Sequence, residues 1–172
     1  MPVQTSYDND MQIAMPGMRS DSTHQITDGC NAAQGAIKPG YVVARVSNAN
    51  DKRVVKQVSA AGDAANLMGI CRFSHYGCVK GQYEAGDAVN VMTWGRIWAV
   101  TTLTAAPTMG ALVNVITSGD DAGKVAATGG SPALGWVLTG KFTTFTDNTG
   151  SAVNLAEVQI RNQTSEPASS EA

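Results

Sequence analysis

Short apolar stretches separated by turn-forming residues constrain the fold of this chain more than any other feature of its sequence. Between residues 35 and 161, stretches rich in Val, Ile, Thr and aromatic residues alternate with turn signals such as Lys38-Pro39-Gly40 and Gly86-Asp87. This rhythm predicts a β-barrel or a β-sandwich. The predicted strands are 41–46, 53–58, 67–73, 88–93, 96–101, 111–117, 124–128, 134–146 and 153–161.

Local patterns predict the orientation of the last strand and one short helix. Residues 59–66 are Ala-rich with Asp63 as a candidate N-cap, but Gly62 interrupts them, so we expect one or two turns of helix. The last strand alternates between apolar and polar residues, as a half-buried strand requires. Its core side is Ala156, Val158 and Ile160, and its predicted solvent side is Glu157, Gln159 and Arg161.

The two ends of the chain differ in composition from the predicted strands. Residues 1–34 are polar and turn-rich, yet they carry spaced apolar side chains that they cannot bury alone. We therefore expect an extended arm that packs on its own core or on a neighbour. Residues 162–172 lack aromatic and β-branched aliphatic residues, so we expect a disordered tail. The predicted fold is all-β: a single antiparallel β-barrel or jellyroll-like sandwich, residues 35–161, with an extended N-terminal arm.

Low charge narrows the classes of function. Charged residues make up 15% of the chain, against roughly 25% in an ordinary soluble domain. Such a surface suits packing against partner proteins, and it equally suits a β protein with many exposed turns. The net charge of -2 argues against nucleic-acid binding, which needs clustered Lys and Arg.

Targeting signals and cysteines add further expectations. No run approaches the ~20 apolar residues of a membrane-spanning helix, and the first residues lack the pattern of a secretory signal. The three cysteines fit free thiols in a reducing cytoplasm better than a disulfide framework. They are Cys30, Cys71 and Cys78.

Motifs for catalysis are missing from the sequence. It contains no phosphate-binding loop, dinucleotide fingerprint or nucleophile elbow, so we expect neither enzyme activity nor a cofactor. Cys71, His75 and Cys78 have spacing that could contribute to a zinc site, but a structural site normally needs four ligands, and we expect a strand end and a loop instead. Asp120 and Asp121 are expected to be solvated turn residues.

Two tryptophans flank an arginine at the point where the predicted strand 96–101 begins. Trp94, Arg96 and Trp98 would project to one face of a regular strand, an arrangement favoured at protein interfaces. Gly95 permits a bulge that would break this alternation. The other interpretation is that the two rings fill the core, and the sequence leaves both open.

Five segments distributed along residues 1–161 carry a family resemblance. They are MPVQTSYDNDMQIAMPGMRSD, IKPGYVV, YEAGDAVNVMTWGRIWAV, GALVNVITSG and VNLAEVQIR. Together they resemble the structural cement, or capsid decoration, proteins of tailed bacteriophages. The stretch GDAVNVMTWGRIWA is the most specific part of the match.

The resemblance implies a protein that binds the outer surface of the major capsid protein shell and bridges neighbouring capsomers. It would form a homodimer or homotrimer, be made in the host cytoplasm, reside on the outer capsid surface, and bind neither nucleic acid nor a membrane. The alternative is a tail or baseplate module that stacks a host glycan on Trp94, Trp98 or Trp136. The predicted partner contacts are Tyr7, Met11, Ile13, Met15, Met18, Trp94, Arg96 and Trp98.

Overall fold

The computed structural model of the protein describes residues 13–49, 52–74, 81–147 and 149–161. In these ranges the chain is almost entirely β, with one short 3₁₀ helix at Ala61–Asn66. No helix among the described residues is long and apolar enough to cross a membrane. The strands are β1 (Ile26–Ala33), β2 (Val42–Ala49), β3 (Lys52–Gln57), β4 (Leu67–Cys71), β5 (Ala88–Val100), β6 (Leu112–Val115), β7 (Val125–Ala126), β8 (Ser131–Thr146) and β9 (Ala152–Arg161).

Five of the strands close into a barrel. Their order is β1-β3-β2-β4-β5, and antiparallel pairing of β5 with β1 completes the ring. Every neighbouring pair is antiparallel except β1 with β3, which run parallel. The predicted all-β barrel is therefore confirmed, with one parallel pair that the hairpin-like sequence rhythm does not reveal.

The remaining strands extend the sheet beyond the barrel. From β5 the order continues β9-β8-β6-β7, with antiparallel pairing throughout. A parallel bridge between Val125 and Thr101 brings β7 back to the end of β5. We call the second half of β5 together with β9, β8, β6 and β7 the second sheet.

Strand β5 joins the barrel to the second sheet. Its first half pairs with β1 and β4, and its second half pairs with β9. The change of partner occurs at Trp94, which faces both Ile26 of β1 and Arg161 of β9. The sequence predicts two separate strands here, 88–93 and 96–101, with a possible bulge at Gly95. In the structure Gly95 has a φ of +118° and the strand continues through it.

The largest buried cluster contains side chains from both the barrel and the second sheet. Ile70 and Met92 of the barrel pack with Trp136 and Val158 of the second sheet. A second cluster fills the barrel itself, with Val43, Val55, Val91 and others. Because one cluster spans both parts, the fold is a single packed unit.

The structure corrects two local predictions. The barrel begins inside the segment assigned to the arm, since Ile26–Ala33 forms β1 and pairs with β5 and β3. Asp63 is not the N-cap: it lies three residues into the helix, and its carboxylate accepts hydrogen bonds from the Ser59 and Ala60 N–H groups at 3.0 Å each. Residues 1–12 of the arm and the tail at 162–172 lie outside the described residues.

Candidate interaction surface

The N-terminal segment, residues 13–25, lies along the second half of β5 and forms an additional edge there. Trp98 N–H donates to the Met18 carbonyl at 2.9 Å, and Gly17 N–H donates to the Trp98 carbonyl at 2.8 Å. Ser20 N–H donates to the Arg96 carbonyl at 3.0 Å. This part of the predicted arm is therefore attached to its own core by a short β-ladder.

Gly17 fixes the position of this segment. It has a φ of +75°, which L side chains rarely adopt, and a Cβ there would lie 2.6 Å from the Cys71 carbonyl oxygen and 2.7 Å from the Phe73 nitrogen. Its own carbonyl accepts a hydrogen bond from Phe73 N–H at 2.8 Å. The absence of a side chain at Gly17 thus lets the backbone pass against the end of β4.

Side chains of the segment bury the outer face of β5 and β9. Ala14 and Trp98 are buried together with Leu155. Met18 and Phe145 pack partly buried around them. The indole ring of Trp98 therefore belongs to a small core that the N-terminal segment completes.

A buried carboxylate lies on the same face. Glu157 is 0% exposed, although the alternation of β9 predicts a solvent position for it. Its carboxylate oxygens accept hydrogen bonds from the hydroxyl groups of Ser20 and Thr139, and Lys141 Nζ lies 3.1 Å away. Since a buried charge needs such partners, Glu157 ties the N-terminal segment to β8.

The edge of this face, around Trp94 and Arg96, is more exposed and more polar than the region around Trp98. Arg96 forms an ion pair with Asp21 at 3.2 Å. Hydrogen bonds from Thr23, and then the Arg96 guanidinium, lower the pKa of Asp21 below its usual value. Trp94 is 37% exposed and lines a shallow concavity with His24, Arg96 and Arg161.

The structure separates the predicted contact residues into three groups. Trp94, Arg96 and Trp98 share one face of β5, opposite Arg161, Gln159 and Glu157 of β9, but only Trp94 among the rings is substantially exposed. Met15 and Met18 are partly buried, and Ile13 is 74% exposed. Tyr7 and Met11 lie outside the described residues. A role in partner binding stays a prediction for all of them.

Sequence reasoning missed three exposed apolar side chains in the second sheet and in the turn before β6. They are Met109, Leu112 and Leu134, which are 78%, 64% and 73% exposed. Leu112 pairs with Val137, whereas Asn114 pairs with Pro132, so β8 carries extra residues around Leu134. Periodicity could not reveal the outward position of Leu134, because the bulge interrupts the alternation that identifies an outward face.

The candidate metal and acid groups form no common site in the described part of the chain. No group of three or more His, Cys, Asp and Glu residues there is arranged to hold a metal ion. Cys71 is buried, and burial raises the pKa of its thiol far above the usual range. His75 and Cys78 lie outside the described residues. Asp121 accepts a hydrogen bond from Lys124 Nζ at 2.6 Å within an exposed turn.

Comparisons with known proteins found one matching family and a solved structure with a similar fold. The model of a family described as "Structural cement protein (E217 gp24/Pam3 gp6)" matches residues 3–161. None of the curated proteins matches the chain. A chain of the solved structure titled "The capsid of Myoviridae Phage XM1" has a similar fold, with a TM-score of 0.64 and 14% sequence identity, over 91% of this chain and 97% of that one. The fold is thus similar to that of a protein chain in a phage capsid structure.

Proposed function

Because this chain belongs to the family of phage structural cement proteins, we propose that it binds the outer surface of the major capsid protein shell and stabilises the head by bridging neighbouring capsomers. The observation that carries the proposal is the family match over residues 3–161, which includes every described strand. Membership in this family makes the chain a structural component of the virion.

The packing of the chain into one unit supports a role in bridging capsomers. One hydrophobic cluster spans the barrel and the second sheet, and the N-terminal segment is hydrogen-bonded to β5. A body that does not deform transmits force between the two capsomers it contacts. It also loses little conformational entropy on binding, which leaves more of the contact energy for affinity.

Multivalent attachment supplies the remaining strength. A standard interface removes ~800 Å² per partner from water, but area alone does not set affinity. In a homodimer or homotrimer, the second copy meets its site on the shell at roughly millimolar effective concentration once the first copy is bound. Many modest contacts can therefore hold a shell against internal pressure, and the protein itself performs no catalysis.

The direct test uses heads assembled without this protein. We expect the purified chain to sediment with expanded heads, to saturate at a fixed number of copies, and to raise the temperature at which the heads release DNA. Electron microscopy of the complex should place its density outside the shell, at contacts between capsomers. Absence of binding to expanded heads, or density confined to the tail, would show that the proposal is wrong.

Only one of the three tryptophans that could stack on a glycan is accessible to solvent. Trp98 and Trp136 are buried, so neither can stack with a sugar, and Trp94 alone is accessible. Host polysaccharide added to the purified chain should leave the tryptophan fluorescence unchanged. Quenching that disappears in Trp94→Ala would favour the receptor-binding alternative.

A further inference from the structure

We propose that a surface around Trp94 docks an acidic segment of a capsid chain, in which a carboxylate lies beside an apolar side chain. We call it the Trp94 surface and define it by four side chains, those of Ile26, Trp94, Arg96 and Arg161. The assignment rests on the proposed function, and it adds the face of the molecule that binds and the chemistry of the partner.

Strand register makes the Trp94 surface continuous. Trp94 of β5 is paired directly with Ile26 of β1 on one side and with Arg161 of β9 on the other. Directly paired residues project to the same side of a sheet, with their Cβ atoms about 4.5–5.5 Å apart. These three side chains therefore form one row across three strands, and Arg96 follows two residues along β5 on the same face.

The row is open to solvent. Ile26 is 46% exposed and Trp94 is 37% exposed, and Arg161 is exposed as well. Trp94, Arg96 and Arg161 line one shallow concavity together with His24. Trp and Arg are enriched among the residues that dominate binding energy in protein interfaces, so the row has the composition of a binding site.

Unused hydrogen-bond donors make the concavity suited to a carboxylate. Arg96 pairs with Asp21 through Nη1 alone, at 3.2 Å. In the amide orientation that satisfies both side chains, the Gln159 oxygen accepts from Arg161 Nη2 at 2.9 Å and Nε at 3.1 Å. Among the described residues, Nη2 of Arg96 and Nη1 of Arg161 have no acceptor. Two guanidinium groups beside one carboxylate leave an excess of positive charge, and arginine pairs strongly with carboxylates.

The partner is a protein segment and not a nucleic acid or a sugar. Two arginines are too few for a polyphosphate backbone, which needs clustered Lys and Arg, and the chain carries a net charge of -2. A neutral sugar can stack on the indole but does not neutralise the guanidinium groups. An acidic segment does both, because its carboxylate pairs with an arginine while an adjacent apolar side chain covers Ile26 and Trp94.

Carbodiimide coupling identifies the group that faces position 161. Arg161→Lys keeps the positive charge and supplies an amine, which a carbodiimide joins to a carboxylate in contact with it. On heads that carry this variant, peptide mass spectrometry should find the new amine joined to an Asp or Glu of a capsid protein. Coupling only to carboxylates of this chain or of a second copy, such as Glu166 or Glu171, would overturn the proposal, as would the absence of coupling.

Affinity for heads assembled without this chain measures the contribution of the surface. Trp94→Ala should weaken binding by at least about 30-fold, as expected for a residue at the centre of an interface. Arg161→Glu should weaken it by at least about tenfold, because it places like charges together. Lys38→Glu makes the same change in charge at an exposed lysine that does not line the concavity, and it should change binding by less than about twofold. Urea unfolding of each variant checks that the fold is retained.

The outcomes separate this assignment from the proposed function. If the natural chain binds heads and Arg161→Glu binds as tightly as Lys38→Glu, the assigned surface is wrong while the proposed function stands. If the natural chain does not bind heads, the proposed function fails and the assignment fails with it. A selective loss in Trp94→Ala and Arg161→Glu, together with coupling to a capsid protein, supports the Trp94 surface.

Discussion

Gly17→Ala should destabilise the protein by disturbing the attachment of the N-terminal segment. A left-handed conformation costs an L residue roughly 1–2 kcal/mol. The new methyl group would also meet backbone atoms of Cys71, Phe73 and Gly40 at 2.6 to 2.8 Å, and overpacking of this kind costs typically about 1–3 kcal/mol. We therefore expect the free energy of unfolding to fall by about 2–5 kcal/mol.

Two matched glycines separate the contributions to this loss. Gly86 has a φ of +88° but open space around it, so Gly86→Ala should lose only the backbone part, about 1–2 kcal/mol. Gly62 lies in the 3₁₀ helix without a left-handed φ and with no neighbour within 4 Å. Gly62→Ala should leave the stability unchanged or raise it slightly.

Urea unfolding, followed by tryptophan fluorescence, measures the three differences. For Gly17→Ala, a loss of about 3 kcal/mol in the free energy of unfolding would correspond to a fall of roughly 6–12 °C in Tm for a chain of this size. Hydrogen exchange gives the local readout, because the Trp98 N–H is bonded to the Met18 carbonyl and should exchange faster in Gly17→Ala. Equal losses for Gly17→Ala and Gly86→Ala would refute the close backbone approach.

Three further predictions concern ionisable groups. Lys141→Met should lose roughly 1–3 kcal/mol in urea unfolding, because it removes a hydrogen-bond partner from the buried carboxyl group of Glu157. Glu157→Gln should lose less, because Lys141 is 58% exposed and can be solvated. The reverse order would contradict the assigned burial. Burial raises the pKa of Asp63, but hydrogen bonds from Lys56 and two backbone N–H groups outweigh it, so the pKa lies below its usual value. This stabilisation is present above the unfolded pKa and is lost as pH falls through the folded pKa. Asp63→Asn should therefore be less stable than the natural chain at pH 7 and approach its stability near pH 2. A pH-independent difference in the free energy of unfolding would disprove the linkage. In the folded protein at pH 8, the buried Cys71 should resist iodoacetamide while the exposed Cys30 reacts. Peptide mass spectrometry would measure the labelling of each thiol. Equal labelling would contradict the burial of Cys71.

Interface contacts are harder to derive from sequence than the strands that carry them. Trp94 and Trp98 are four residues apart on one face of β5, yet Trp94 is 37% exposed and Trp98 is buried. The difference arises because Ala14 and Met18 pack in one cluster with Trp98, and both lie about eighty positions before it in the sequence. Strand periodicity assigns a face, but it does not say what lies on that face.

The sequence by itself determined the β class, most strand positions and the turns between them, because these depend on alternation and on turn residues that are close in sequence. It also identified the family through short segments. The tertiary structure alone decided that β1 closes the barrel, that β5 runs through Gly95 into the second sheet, and that Glu157 is buried. Each of these depends on pairing between segments far apart in the chain, where the packing free energy of the whole fold outweighs local preference.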